Sequence, residues 1–281
     1  MTEEPRRSFF NESTGRAPGR GRLAGRRILV VGGGQRDIED PDPPIGNGRA
    51  ATILYAREGA HVACADVSGP AADGTVAAVT EEGGRAFAIE ADVADPSAVE
   101  SMVAHAAERL GGLDGLLLNV GVSGPPLGLA GESPDEWDRV MAINLRSHML
   151  TCRAALPILA DGSSIVFIAS VSGMRPNTSK PSYDASKTAL KGLCGHVAQE
   201  GHGRGIRANI VAPGLMDTAL GRNASRRRPA RNAKPLPFDR QGTGWETAYA
   251  SLFLMSRESA YITAQTLVVD GGLIDLWWRA G

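Results

Sequence analysis

Most of what would mark a chain for a membrane, a nucleic acid, a metal or a disulfide scaffold is missing here. No stretch of about 18 apolar residues occurs, so no membrane-spanning helix is expected. The 30 basic residues are balanced by 31 acidic ones, a formal net charge of −1, which makes no global case for nucleic acid or an anionic membrane surface. The three cysteines, Cys64, Cys152 and Cys194, stand far apart in apolar stretches and read as small core residues. That usage suits a reducing, cytoplasmic compartment. The 5 histidines are scattered, so no metal site is expected. No repeat at a solenoid period is present, and no linker divides the 281 residues into two domains. Residues 1–22, rich in Arg, Gly, Ser and Pro, lack the apolar core of a signal peptide. They are expected to form a flexible or loosely docked arm ahead of one domain over residues 23–281.

What is present is an alternation of short apolar runs and longer helical patterns. Strands are predicted at residues 28–31, 61–65, 86–89, 113–118, 165–168, 206–211 and 265–269, with helices between them. One long helix is expected after Ser133, as N-cap, with Pro134 in its first turn and Glu136 completing a capping box. Apolar strands separated by helices imply a parallel sheet covered on both faces. Right-handed crossovers then give an α/β, Rossmann-type doubly wound fold with a seven-stranded parallel sheet.

Two stretches carry chemistry. Tyr183 and Lys187 are four apart, so they share one face of a helix. A phenol titrates near pH 10 on its own, and a neighbouring ammonium favours its phenolate, bringing it into range as an acid/base. Upstream, the first strand runs into Gly32, Gly33 and Gly34, and a second glycine cluster, Gly46, Asn47 and Gly48, precedes the first helix. A glycine turn at a helix N-terminus is an anion site made of backbone N–H groups. Here residues 35–45, acidic and proline-rich, interrupt it. Asp66, at the end of the second strand, stands where a carboxylate accepts hydrogen bonds from an adenosine ribose and repels a 2′-phosphate. NAD is therefore expected over NADP.

With these in one register, the chain resembles the short-chain dehydrogenase/reductase family over about residues 23–272. Further stretches carry the resemblance. Asp92 and Val93 match the pair that contacts the adenine. Asn119 and Gly121 match the family's NNAG stretch, with Leu118 in place of its first Asn. Asn144 matches the helix Asn of the catalytic tetrad, and Ser170, 13 residues before Tyr183, matches its Ser. Pro213, Gly214, Met216 and Thr218 fall in a PGxxxT stretch, where the Thr holds the nicotinamide carboxamide. Residues 261–263 and 269–272 resemble the C-terminal signature. The resemblance implies Tyr183 as general acid/base, and Lys187 lowering its pKa and bonding the nicotinamide ribose. It implies Ser170 orienting the substrate oxygen and Asn144 holding a water on the proton path. By position beside that set, Ser172, Val122, Met174, Leu215 and Met216 are candidate pocket residues. Being mostly apolar, they suggest a secondary alcohol or ketone with a hydrophobic body.

Three features are particular to this chain. Residues 35–45 form an acidic insertion whose carboxylates are expected to point away from a pyrophosphate. Residues 219–240, at the family's substrate lid, carry Arg222, Arg226, Arg227, Arg228, Arg231 and Lys234, which form either a solvated loop or an anion clamp. The tail Trp277-Trp278 is expected on a neighbouring subunit or over a pocket, and the resemblance implies a homo-oligomer, dimer or tetramer. The reading reached is an NAD-dependent oxidoreductase acting on a small-molecule alcohol or ketone. The alternatives are a non-catalytic dinucleotide sensor, a 3-oxoacyl-type reductase using NADPH on a carrier-bound substrate, and an epimerase or dehydratase of a nucleotide sugar.

Overall fold

A computed structural model describes residues 10–176, 178–227, 236 and 238–276. Its centre is a seven-stranded, wholly parallel sheet, matching the predicted class. The strands are β1 (Arg27–Val31), β2 (His61–Asp66), β3 (Arg85–Glu90), β4 (Leu113–Leu118), β5 (Leu159–Ile168), β6 (Arg207–Pro213) and β7 (Thr266–Val269). Their order across the sheet is β3-β2-β1-β4-β5-β6-β7. The chain first steps one way from β1 and then returns to continue from its other side. That reversal opens a crevice beyond the carboxyl ends of β1 and β4, where ligands bind in such sheets.

Both faces of the central strands are apolar because both are covered. Leu29, Val31, Ile165 and Phe167 face one core, packed under α3 (Pro96–Leu110), α5 (Ser147–Ala155) and α6 (Pro181–Gly201). Ile28, Val30, Val166 and Ile168 face the other, under α1 (Asn47–Arg57) and α8 (Gly244–Met255). The alternation follows from the two-residue period of a strand. The three cysteines are buried and unbonded, as their apolar settings suggested, and burial pushes the Cys64 thiol up to about 12. No helix among the described residues is long and apolar enough to cross a membrane.

The long helix expected after Ser133 is there as one continuous run, α4 (Pro134–Met141) passing through a π turn at Ala142–Arg146 into α5. Ser133 does accept the Glu136 N–H, at 3.2 Å. The Glu136 carboxylate, however, turns to Arg139, a neighbouring charge that outcompetes the backbone, so the box is half made. The complete box belongs to α8, between Thr243 and Glu246. Finally, residues 10–22 lie against the domain. Ser13 donates to Glu246 at 2.8 Å, and the buried Glu58 carboxylate accepts the backbone N–H groups of Arg20 and Arg22 and the Arg22 guanidinium. A buried carboxylate needs such donors, and the arm supplies them.

Candidate active site

The turn after β1 is shaped by close backbone approach. Gly32 has φ +84, a conformation glycine adopts without strain. Its N–H donates to Ala65 and its carbonyl accepts the Asn119 side chain, both at 2.8 Å. A Cβ on Gly48 would overlap that same carbonyl, so glycine is what lets α1 begin there. Gln35 closes the neck of the insertion: its Oε1 accepts the Gly46 N–H and its Nε2 donates to the Pro44 carbonyl. The glycine cluster thus keeps its place despite the intervening residues. The Asn47 amide oxygen is buried without a hydrogen-bond partner, at the positive end of α1. The backbone N–H groups at the start of α1, beside a glycine turn where a Cβ on Gly48 would intrude, fit a dinucleotide pyrophosphate.

The crevice is a cleft of about 1620 Å³. Gly32, Gly34, Gly46, Asn47, Gly48, Asp66, Asp92 and Val93 line its β1–β3 half. Asp66 accepts the Gly34 N–H at 2.9 Å and the Ser68 N–H at 3.1 Å, one on each oxygen. Its carboxylate is therefore fixed in place, with lone pairs left on both oxygens. Asn119, Gly121, Pro213, Gly214, Met216 and Thr218 line the middle. Thr218 Oγ1 also accepts the Gly221 N–H at the start of α7 (Ala219–Arg227).

The other half holds Ser170, Ser172, Val122, Leu215, Tyr183 and Lys187. Helix α6 carries Tyr183 and Lys187 one turn apart, and the Lys187 ammonium lies 6.0 Å from the Tyr183 ring centroid. Lys187 is buried and donates to the Ile168 carbonyl at 3.0 Å. Burial pulls its pKa down to about 8. Asn144, in the π turn, does not line the cleft but stands behind it. It holds the Val122 peptide through both its N–H and carbonyl, at 2.8 and 2.9 Å, and donates to Ser186 at 3.1 Å. Single π turns recur at functional sites because they leave backbone groups unpaired.

Met174 is the one candidate pocket residue that points elsewhere: it is half exposed and absent from the cleft wall. Its chain neighbours matter instead. Arg175, Thr178 and Lys180 line the catalytic half, together with Ser123. The signal was in the sequence, since Lys180 stands three residues before Tyr183, at the N-cap of the helix that carries Tyr183 and Lys187. The basic lid and the acidic insertion, read separately from the sequence, are partners. Arg222 pairs with Asp40 at 2.9 Å and Asp217 at 2.7 Å, and Arg226 pairs with Asp40 at 3.0 Å. These two arginines face the insertion rather than the substrate. Asp37 and Arg36, by contrast, line the cleft, so the insertion does not turn all its carboxylates away. Arg228, Arg231, Lys234, the Arg227 side chain and the Trp277-Trp278 tail lie outside the described residues.

A family model described as enoyl-(acyl carrier protein) reductase matches residues 45–274. The chain belongs to the short-chain dehydrogenase/reductase family of oxidoreductases. Among its relatives, 2,5-dichloro-2,5-cyclohexadiene-1,4-diol dehydrogenase of Sphingobium indicum is 34% identical over 262 residues, covering 92% of this chain and 98% of the relative. The 3-oxoacyl-(acyl-carrier-protein) reductase of Thermotoga maritima is 31% identical over 255 residues, covering 90% and 99%. A short-chain dehydrogenase of Burkholderia cenocepacia, solved in complex with NADP, superposes with a TM-score of 0.80 at 33% identity, covering 90% and 99%. In this short-chain dehydrogenase/reductase residues 35–45 are bridged to α7, and Lys180 and Lys187 flank the Tyr183 ring.

Proposed function

We propose that this short-chain dehydrogenase/reductase is an NAD-dependent oxidoreductase that interconverts a secondary alcohol and a ketone. The observation that carries the reading is the Tyr183–Lys187 pair, ammonium 6.0 Å from the ring centroid, in the same cleft as the glycine turn. A positive charge beside a phenol stabilises its phenolate, the form that takes a proton from an alcohol. Ser170 receives the substrate oxygen by hydrogen bond and aims it at Tyr183. Asn144 fixes the Gly121–Val122 segment against Lys187 and connects the ammonium to solvent through a helix-embedded water.

Gly32, Gly34, Gly46, Asn47 and Gly48 would hold the pyrophosphate, Asp66 the ribose, Asp92 and Val93 the adenine. Asn119, Gly121, Pro213, Gly214, Met216, Thr218, Tyr183 and Lys187 would hold the nicotinamide half. The nicotinamide, when bound, supplies the hydride chemistry. Val122, Ser172 and Leu215 face the substrate. NAD is favoured because the Asp66 carboxylate would lie against a 2′-phosphate. A second reading, NADP, has its support in Arg36 and Arg49, which line the same half of the cleft.

The test is a steady-state screen of secondary alcohols and ketones with each cofactor, following absorbance of the reduced nicotinamide. Turnover of alcohols with NAD is expected. No turnover of any pair with either cofactor, while the dinucleotide still binds, would replace this reading with the sensor alternative.

A further inference from the structure

The charged groups of the cleft are mixed on one side and of one sign on the other. Its three carboxylates, Asp37, Asp66 and Asp92, at or after the ends of β1, β2 and β3, share their side with Arg36 and Arg49. On the β5 side, beyond Tyr183, the charged lining residues are Arg175 and Lys180 alone, apart from the buried Lys187. Fields of one sign in a low-dielectric cleft concentrate ligands of the other.

Lys180 is held in place. It caps the N-terminus of α6, and its ammonium lies 3.1 Å from Ser123 Oγ and 6.0 Å from the Tyr183 ring centroid. Thr178 pins the preceding loop, donating through its N–H and its hydroxyl to the Asp184 carboxylate at 3.2 and 2.7 Å. Arg175 makes no side-chain hydrogen bond among the described residues and faces the same space. Between them and the catalytic pair sits Ser172, 4% exposed, whose Oγ has no hydrogen-bond partner although it borders the cleft.

We propose that the substrate is an oxo or hydroxy acid, whose carboxylate is held by Lys180 and Arg175, with Ser123 donating to it. This rests on the oxidoreductase reading above and narrows its substrate class. The ammonium that recognises the carboxylate stands over the acid/base tyrosine, so the carboxylate lies within a few bonds of the reacting carbon. The guanidinium offers a planar carboxylate a two-point contact. Leu215, Leu273 and Ile274 line the cleft as well and receive the apolar remainder.

The test compares paired ligands with and without an anionic group. Benzoylformate and benzoylformamide, acetoacetate and acetoacetamide, and dihydroxyacetone phosphate and dihydroxyacetone are titrated calorimetrically into the enzyme–cofactor complex and assayed for reduction. We expect each carboxylate to bind at least about tenfold tighter than its amide at low salt, less so at high salt. In K180M and R175M, checked for retained fold and cofactor affinity, the ratio falls below about threefold. Equal affinity for acid and amide overturns the proposal. So does an unchanged ratio in K180M with kcat reduced for both members of a pair, which assigns Lys180 to the Tyr183 proton. Preference for the phosphate over the carboxylates overturns the carboxylate assignment in favour of a phosphate ester. Tight carboxylate binding without reduction by either cofactor instead fails the oxidoreductase reading and leaves the anion site standing.

Discussion

The Asp40 carboxylate and the Arg222 guanidinium meet at 2.9 Å, joining the insertion in the glycine turn to the helix that borders the catalytic half of the cleft. Arg222 also donates to the Asp42 carbonyl and Arg226 to the Glu39 carbonyl, so the contact is a network. Helix α7 and residues 35–45 border opposite halves of one cleft, and the bridge spans it. Arg222 holds the Asp40 carboxyl below the usual carboxylate range. Such a group stabilises its folded arrangement above the ordinary carboxylate pKa, and the contribution is lost as pH falls through its depressed value. In Asp40→Asn the dinucleotide should dissociate about two- to fivefold faster at low salt, the scale of exposed ion pairs. High salt should bring the wild type towards the variant. Stopped-flow release of reduced cofactor measures this; identical release rates at low salt would mean that the bridge does not hold the cleft closed.

Tyr183→Phe keeps the ring over Lys187 and removes the proton. We expect kcat to fall at least about 100-fold, the lower end of general acid/base effects, with dinucleotide affinity retained. Turnover near the wild-type rate would remove Tyr183 from the chemistry.

Asp66 sets the expected cofactor preference. Its two oxygens are fixed by Gly34 and Ser68, so the carboxylate has little freedom to swing from a 2′-phosphate. The expectation is kcat/KM at least about tenfold higher with NAD than with NADP, and a shift towards NADP in Asp66→Ala. A wild type that prefers NADP would point to Arg36 and Arg49 as phosphate ligands.

His148 gives a signature in acid. It is buried against Phe167 with its ring stacked at 6.2 Å. Burial, reinforced by the Lys187 charge, pushes its pKa down to about 3 from an ordinary 6.5. Between those values the unfolded chain binds a proton that the folded one refuses, so stability falls as pH drops from 6.5 towards 3. The slope from this one group reaches about 1.4 kcal/mol per pH unit. Urea unfolding at pH 7, 5.5 and 4.5 should show a shallower acid loss in His148→Asn than in the wild type. Parallel pH profiles for the two proteins would remove His148 as the cause.

The sequence by itself determined the fold class, the order of strands and helices, and the two ends of the cleft. Apolar runs on both strand faces require cover on both sides, and helical spacing of four puts Tyr183 and Lys187 on one face wherever α6 packs. Gly32, Gly48 and Asp66 were legible because the backbone conformation and the charge they serve are local. Tertiary structure alone decided which distant charges meet. Asp40 and Arg222 read as two unrelated surface features, and only the return of the chain beside the glycine turn makes them partners. The Glu136 carboxylate, assigned by spacing to a cap, went to Arg139. Met174 was assigned to the pocket by sequence proximity, yet the turn after Ser170 sends it to solvent and brings Arg175 and Lys180 to the cleft. Spacing along the chain fixes which side chains share an element, whereas the packing of one loop on another fixes which of them face the same space.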